Sequence, residues 1–400
     1  MTNISLGIAF FFTSVLNFCF AAPEPRNSQG VPLIAAATAP AEAQFQTYMT
    51  TPVRRPDGAK WRLGYVDSGD YEEYPRTLKV IVKGLQELGW LSVPDIPKNL
   101  DSKQLWNYLT ENVSSDYLEF VKDAWWQPGN FDESARPKVR EAIMARISTQ
   151  NDIDLMIAMG TWAGQDMAAL GAPIPTIVAS VSDAVEAHIV RSAKDSGLDN
   201  LHARVAPQRY QRQLRLFHEV IPFRRLGVVY ENSEVGRTYG AVNAVTEVSK
   251  QLGFEVVPCY AQAAGVAPEA ATKNVLDCYR RLAKIIDAAY ITVHRGLTKE
   301  AVKKVAQILR DARIPSFSML GAQEVEEGIL LSLSGANSAY VGLFYAETIA
   351  RIFNGAKPRQ LKQIWIDPPK LALNLRTARA IGFDPPVEVL LAADEVFGED

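Results

Sequence analysis

The chain of 400 residues is 48% hydrophobic and 22% charged, with a formal net charge of −3. That is the balance of a globular protein able to bury a large core in two or three domains. With so little net charge and no dense Lys/Arg stripe, the sequence has no electrostatic footprint for nucleic acid, and no such partner is expected.

Leu6 to Phe20 is almost wholly apolar, carrying Phe10, Phe11, Phe12, Val15 and Leu16, and the small residues Ala21 and Ala22 follow. The run is too short to span a bilayer comfortably. It reads as the core of a signal peptide, residues 1–22, cleaved near Ala21 or Ala22, although no Lys or Arg precedes Arg26. Asn17 and Phe18 stand before Cys19 where a lipid-attachment signal carries small residues, so no anchor is expected. Residues 23–59, rich in Ala, Pro and Gln, read as a linker. The mature chain is therefore expected in the periplasm. There Cys259 and Cys278 form a candidate disulfide, with two buried free thiols as the alternative.

In "WRLGYVDSGDYEEYPRTLKVIVKGLQELGWL" a short apolar run ends at Val66, a polar loop follows, and Leu78, Ile81, Val82, Leu85 and Leu88 recur at helical spacing before Gly89. "RRLGVVYENSEVGRTYGAVNAVTEVSKQLGFEV" repeats the arrangement, with a strand Leu226 to Tyr230, a loop Asn232 to Gly236 and a helix reaching Leu252. Each unit has a second echo. Ile153 and Asp154 lead into "LMIAMGTWAG", then a helix and the strand "TIVAS"; Ile286 and Asp287 lead into "AAYITVHRG", then a helix with Val302, Val305, Ala306 and Leu309 on one face, and "SFS". Apolar strands alternating with helices imply α/β lobes with parallel sheets and right-handed crossovers. Two such sets predict two Rossmann-like lobes.

Ligands of open parallel sheets bind beyond the carboxyl ends of the strands. The loops expected there are 67–71, 160–164 and 180–183 in one lobe, and 231–239, 294–296 and 318–321 in the other.

Several segments sharpen the reading: "GTWAGQDMA", "SVSDAVEAHIV", "RYQRQLRLFHEVIPFRRLGVVYENSE", "GILLSLS" followed by "YVGLFYAETIARIFNGAKP", and "LALNLRTARAIGFDPPVEVL". With them the chain resembles, from Arg62 to Glu395, the ABC-transporter solute-binding family related to tryptophan-binding proteins. The resemblance implies a type I periplasmic binding protein fold with a three-segment hinge, residues 60–202 plus 320–357 forming the first lobe and 203–319 plus 358–400 the second. It also implies a small-molecule solute, an ABC permease as membrane partner, a monomer, and no cofactor. Family members commonly carry proline and glycine where this chain has Ala184 and His188, which makes His188 a candidate determinant of ligand fit.

Within the rim loops, Ser180, Ser182 and Asp183 are candidates both for capping a following helix and for bonding a polar ligand at its N-terminus. Tyr71, Trp162 and Tyr239 offer aromatic area, Trp162 with Gly160 and Gly164 leaving room around it. Ser68, Asp70, Thr161, Glu231, Asn232 and Glu234 supply hydrogen-bonding groups, the carboxylates as partners for an ammonium. Arg295, preferred over its neighbour His294, is a candidate clamp for a carboxylate.

Enzyme signatures are missing: there is no G-x-S-x-G, H-E-x-x-H, Walker loop or G-x-G-x-x-G after a strand. His188, His202, His218 and His294 are scattered without metal-ligand spacing, and no metal is expected. A binding protein is the leading reading. An exported enzyme using Asp183 or His294 as base, and a sensing subunit for a membrane receptor, are the alternatives.

Overall fold

The computed structural model describes residues 48–335, 338–366 and 368–398. The expected signal peptide, Cys19 and the linker as far as residue 47 lie outside them. Strands β1 (Trp61–Asp67), β2 (Leu118–Trp126), β3 (Leu155–Met159), β4 (Thr176–Ala179) and β5 (Leu201–Ala203) form an all-parallel sheet in the order β2-β1-β3-β4-β5. A second sheet holds β6 (Arg225–Tyr230), β7 (Glu255–Tyr260), β8 (Ala288–Ile291), β9 (Ser316–Ser318), β10 (Leu331–Gly335), β11 (Pro369–Asn374) and β12 (Ala393–Phe397). Its order is β12-β11-β10-β9-β8-β6-β7.

Helices cover both faces of each sheet, so the central strands are apolar on both sides. Along β3, Leu155, Ile157 and Met159 enter one core while Met156 and Ala158 enter the other. β6 divides in the same way, with Leu226, Val228 and Tyr230 opposite Val229. Of the helical positions expected from spacing, Leu78, Ile81, Val82 and Leu85 are buried, while Leu88 is half-buried at the helix end.

Four expectations change. Residues 48–59 are packed on the first lobe rather than serving as a tether: Trp90 Nε1 donates to Thr50 O and Trp61 Nε1 to Val53 O, each at 2.9 Å. The lobe boundary expected at residue 320 moves, because β9 to β10 completes the second sheet and Leu330 and Leu331 sit in that lobe's core. β10 thus belongs to the second lobe, and the helix Ser338–Phe353 belongs to the first. One strand pair, β10 with β11, is antiparallel, since β11 returns from the first lobe rather than through a crossover helix. Finally, the helix expected after Asp183 is a short run of turns ending near Val190.

At the hinge, the Val205 amide donates to Gln363 O at 2.8 Å and the Trp365 amide to Val205 O at 3.0 Å, pairing two of the connecting segments. Cys259 on β7 and Cys278 on the helix Pro268–Leu282 are bonded to one another, tying an edge strand to the helix that covers it.

The helix Ser338–Phe353 returns to the first lobe and lies against the helix Glu73–Glu87. Their approach is set by two glycines: a Cβ on Gly84 would stand 2.8 Å from Gly342 O, and one on Gly342 would stand 2.2 Å from Val80 O. Gly342→Ala is expected to force the helices apart and cost about 1–3 kcal/mol, read as a lower urea midpoint with an unchanged slope.

Candidate functional site

The crevice of an open parallel sheet lies where the strand order reverses. In the first sheet that point is between β1 and β3, and in the second between β6 and β8. β3 runs directly into Gly160, Thr161 and Trp162; β6 stops ahead of Glu231, and β8 leads to His294 and Arg295. Between them lies a cleft of about 1420 Å³. The first lobe lines it with Tyr71, Tyr74, Phe131, Arg136, Trp162, Ser180 and Ser182, the second with Glu231, Glu234, Tyr239, His294, Arg295, Met319 and Glu324.

Gly160 opens the helix Thr161–Leu170 at φ +92°, a conformation that side chains disfavour, and a Cβ there would meet the Tyr74 hydroxyl at 2.1 Å. Glycine thus lets Tyr74 and Ser68 press against the helix start. Ser68 Oγ accepts from the Ala163 amide at 3.2 Å and donates to Met159 O at 3.3 Å, which makes it a support behind the wall. Ser68 thus caps the Ala163 amide in place of an N-cap side chain, and the Thr161 and Trp162 amides have no intrahelical acceptor. The dipole adds a partial positive charge at the same place.

Arg136 covers one face of the Trp162 ring at 4.9 Å, held there by Asp166 through bonds of 3.0 and 2.9 Å, while Phe131 meets the ring edge-on at 5.7 Å. Trp162 is therefore a braced wall rather than an open stacking face. Tyr71 packs edge-on against Tyr74 at 5.3 Å.

In the second lobe, His294 Nε2 donates to Ala261 O at 2.9 Å and its Nδ1 accepts from the Gly296 amide at 3.0 Å, so burial and both bonds leave a neutral ring. Glu231 Oε1 accepts from the amides of Ala263 and Ala264. Arg295 departs from the expected carboxylate clamp. Its Nη2 donates to the carbonyls of Ala263 and Val266, its Nη1 reaches across to Asn130 O at 3.2 Å, and its guanidinium lies 5.4 Å from the Phe131 ring. Its Nε has no partner.

Among the described residues around the cleft, the buried Trp162 Nε1 and Arg295 Nε have no partner, while the Thr161 hydroxyl of one lobe faces the Tyr239 phenol of the other. Burial pushes the Tyr239 phenol up to about 12, keeping it protonated and able to donate. Glu324 accepts from Ser318 Oγ at 3.1 Å, and burial pushes its carboxyl up to about 7.

Of the sequence candidates, Tyr71, Trp162, Ser180, Ser182, Glu231, Glu234, Tyr239 and Arg295 line the cleft. Ser68 and Thr161 stand immediately behind it. Asp70 accepts from Gln127 at 3.2 Å, Asn232 is exposed off the lining, and Asp183 caps the amides of Val185 and Glu186 at 2.9 and 3.0 Å. His188 is exposed, 3.8 Å from Glu234 of the other lobe. Sequence reading missed Tyr74, Phe131, Arg136, Met319 and Glu324. Phe131 follows β2, whose carboxyl-end loop was the detectable signal.

The lobes are closed on each other. Tyr210 OH donates to Ser182 O at 3.1 Å, Arg76 Nη1 to Gln323 Oε1 at 2.8 Å, and Asn243 Nδ2 to Glu186 Oε1 at 2.8 Å, in addition to Arg295 with Asn130.

Residues 129–397 match the ABC transporter substrate binding protein family. The chain belongs to that family. It is a family of substrate-binding proteins rather than of enzymes. Solved structures agree on the fold. An ABC domain in complex with L-Trp from Streptococcus pneumonia superposes with a TM-score of 0.64 at 18% identity, over 85% of this chain and 100% of that one. A conserved domain protein from Vibrio cholerae gives 0.63 at 18% identity, over 84% and 99%. A ligand-free, open substrate-binding protein with adhesive properties from Clostridium difficile gives 0.54 at 19% identity, over 85% and 100%. These likenesses show the type I periplasmic binding fold. No curated protein matches the chain.

Asp67, at the end of β1, is fully buried, accepting on Oδ1 from Gln127 Nε2 at 2.9 Å and from the Gly69 amide at 3.2 Å. Burial raises its carboxyl from 3.8 to about 7. Below about pH 4 both folded and unfolded states hold the proton and nothing is lost. Between about 4 and 7 only the unfolded state releases it, so stability falls by about 1.4 kcal/mol per pH unit and levels off above 7. Asp67→Asn is expected to gain about 2–3 kcal/mol on wild type between pH 5 and pH 8, measured by denaturant titration at both; parallel pH curves would contradict it.

Proposed function

We propose that the chain is the exported solute-binding subunit of an ABC uptake system, holding a small polar or aromatic, amino-acid-like organic solute in the cleft between its lobes. The observation that carries this is one cleft walled by both lobes at the carboxyl ends of their strands, with Tyr71, Phe131 and Trp162 on one side and Glu231, Tyr239 and Arg295 on the other. The aromatic walls, Tyr71, Phe131 and Trp162, suit a ligand with a flat apolar body. The apolar run Leu6 to Phe20 supports export, and a closed monomer presented to a membrane permease completes the reading.

The bases an enzyme would use are occupied. Both nitrogens of His294 are bonded, and the Asp183 carboxylate caps a turn.

Native mass spectrometry of freshly purified protein is expected to find one small solute per chain, released on denaturation. In a thermal-shift screen of amino acids, aromatic acids and nucleobases, a solute at a hundred times its dissociation constant adds about 2.7 kcal/mol of stability. Consumption of a compound without any rise in melting temperature would refute the binding role.

A further inference from the structure

The wall that the second lobe gives to the cleft hangs on a loop with no helix or strand of its own. Residues 261–266 run from the end of β7 towards the helix Pro268–Leu282. Ala261 O accepts from His294 Nε2 at 2.9 Å, the Ala263 and Ala264 amides donate to Glu231 Oε1 at 3.4 and 3.1 Å, and the carbonyls of Ala263 and Val266 accept from Arg295 Nη2. Three cleft-lining side chains, placed by the inner strands β6 and β8, thus take their orientation from one loop of the neighbouring edge strand.

Burial alone does little to fix that loop. β7 pairs only with β6, and of its six residues only Cys259 is buried. An edge strand with so little buried apolar surface is weakly docked by the hydrophobic effect. Cys259, just ahead of the loop, is bonded to Cys278, which is fully buried in the helix beyond it, so the loop lies inside a covalent ring closed over a sequence separation of 19 residues. Such a ring limits the excursions of the chain it encloses. Arg281 Nη2 donates to both sulfurs, at 3.1 and 3.2 Å, and Asn274 Nδ2 of the same helix donates to Gln262 O at 3.1 Å. The start of that helix also meets the residue after Arg295: a Cβ on Gly296 would stand 2.4 Å from Ala271 O.

Resting on the binding role proposed above, we infer that the Cys259–Cys278 bridge is a positioning device for the solute cleft. It holds the loop 261–266, and through that loop the orientation of Glu231, His294 and Arg295.

Hydrogen exchange read by mass spectrometry tests this on two forms that lack the bridge: the double variant Cys259→Ala with Cys278→Ala, and wild-type protein refolded in dithiothreitol, which leaves both sulfurs and their volume in place. In both, the amides of residues 261–266 are expected to exchange about tenfold faster or more, while those of β6 and β8 keep their wild-type rates. Native mass spectra of the double variant, purified as the wild type is, are expected to show loss of the bound solute. Exchange raised equally through β6 and β8, or failure of both forms to fold, makes the bridge a support of the whole lobe and overturns the assignment. An unchanged loop overturns it too, as does a loosened loop with the solute retained. Wild type that carries no solute counts against the binding role alone, because the exchange pattern is read without one.

Discussion

An indole N–H on a residue 6% exposed stands unbonded at the first turn of one helix. A buried donor without an acceptor forfeits about 1–3 kcal/mol. Trp162 keeps that position because the packing around it holds the ring, and much of the cleft wall depends on the same packing.

The bracing is specific. Gly160 accepts a backbone conformation that other residues resist, and so admits the Tyr74 hydroxyl and Ser68 against the helix start. Asp166 fixes Arg136, Arg136 covers Trp162, and Phe131 closes the edge, so the indole has little freedom to turn its N–H elsewhere. Phe131 also receives Arg295 from the other lobe. One aromatic ring thus touches both the wall that binds and the residue that bridges.

Much of this was legible in the sequence. Apolar strands followed by helically spaced residues implied the two lobes, and the rule that ligands gather at strand carboxyl ends picked out the loops whose Trp162, Tyr239 and Arg295 line the cleft. β2 escaped notice because it is an edge strand whose apolar residues are interrupted by the charged Lys122 and Asp123, and Phe131 was lost with it. The lobe boundary near 320 misled because β10 pairs antiparallel with a strand that arrives from the hinge, which crossover logic does not anticipate. Arg295 was chosen for its charge, yet its fork serves the carbonyls of Ala263, Val266 and Asn130. That use depends on how a distant loop folds, and no local pattern encodes it. Asp183 went the other way: both of its candidate roles were visible, and the turn took the carboxylate for capping.

Closure also needs energy from somewhere. Among the described residues, hydrogen bonds from Tyr210 to Ser182, Arg76 to Gln323, Asn243 to Glu186 and Arg295 to Asn130 join the lobes, and at about 0.5–1.5 kcal/mol each they favour closing by a few kcal/mol. Moving a population from mostly open to mostly closed needs about 5.5 kcal/mol of differential affinity. A solute touching one wall binds the open and closed forms alike and shifts nothing, so the difference has to come from contacts made to both walls at once, and the cleft offers such walls in Trp162 and Tyr71 on one lobe and Tyr239 and Glu231 on the other.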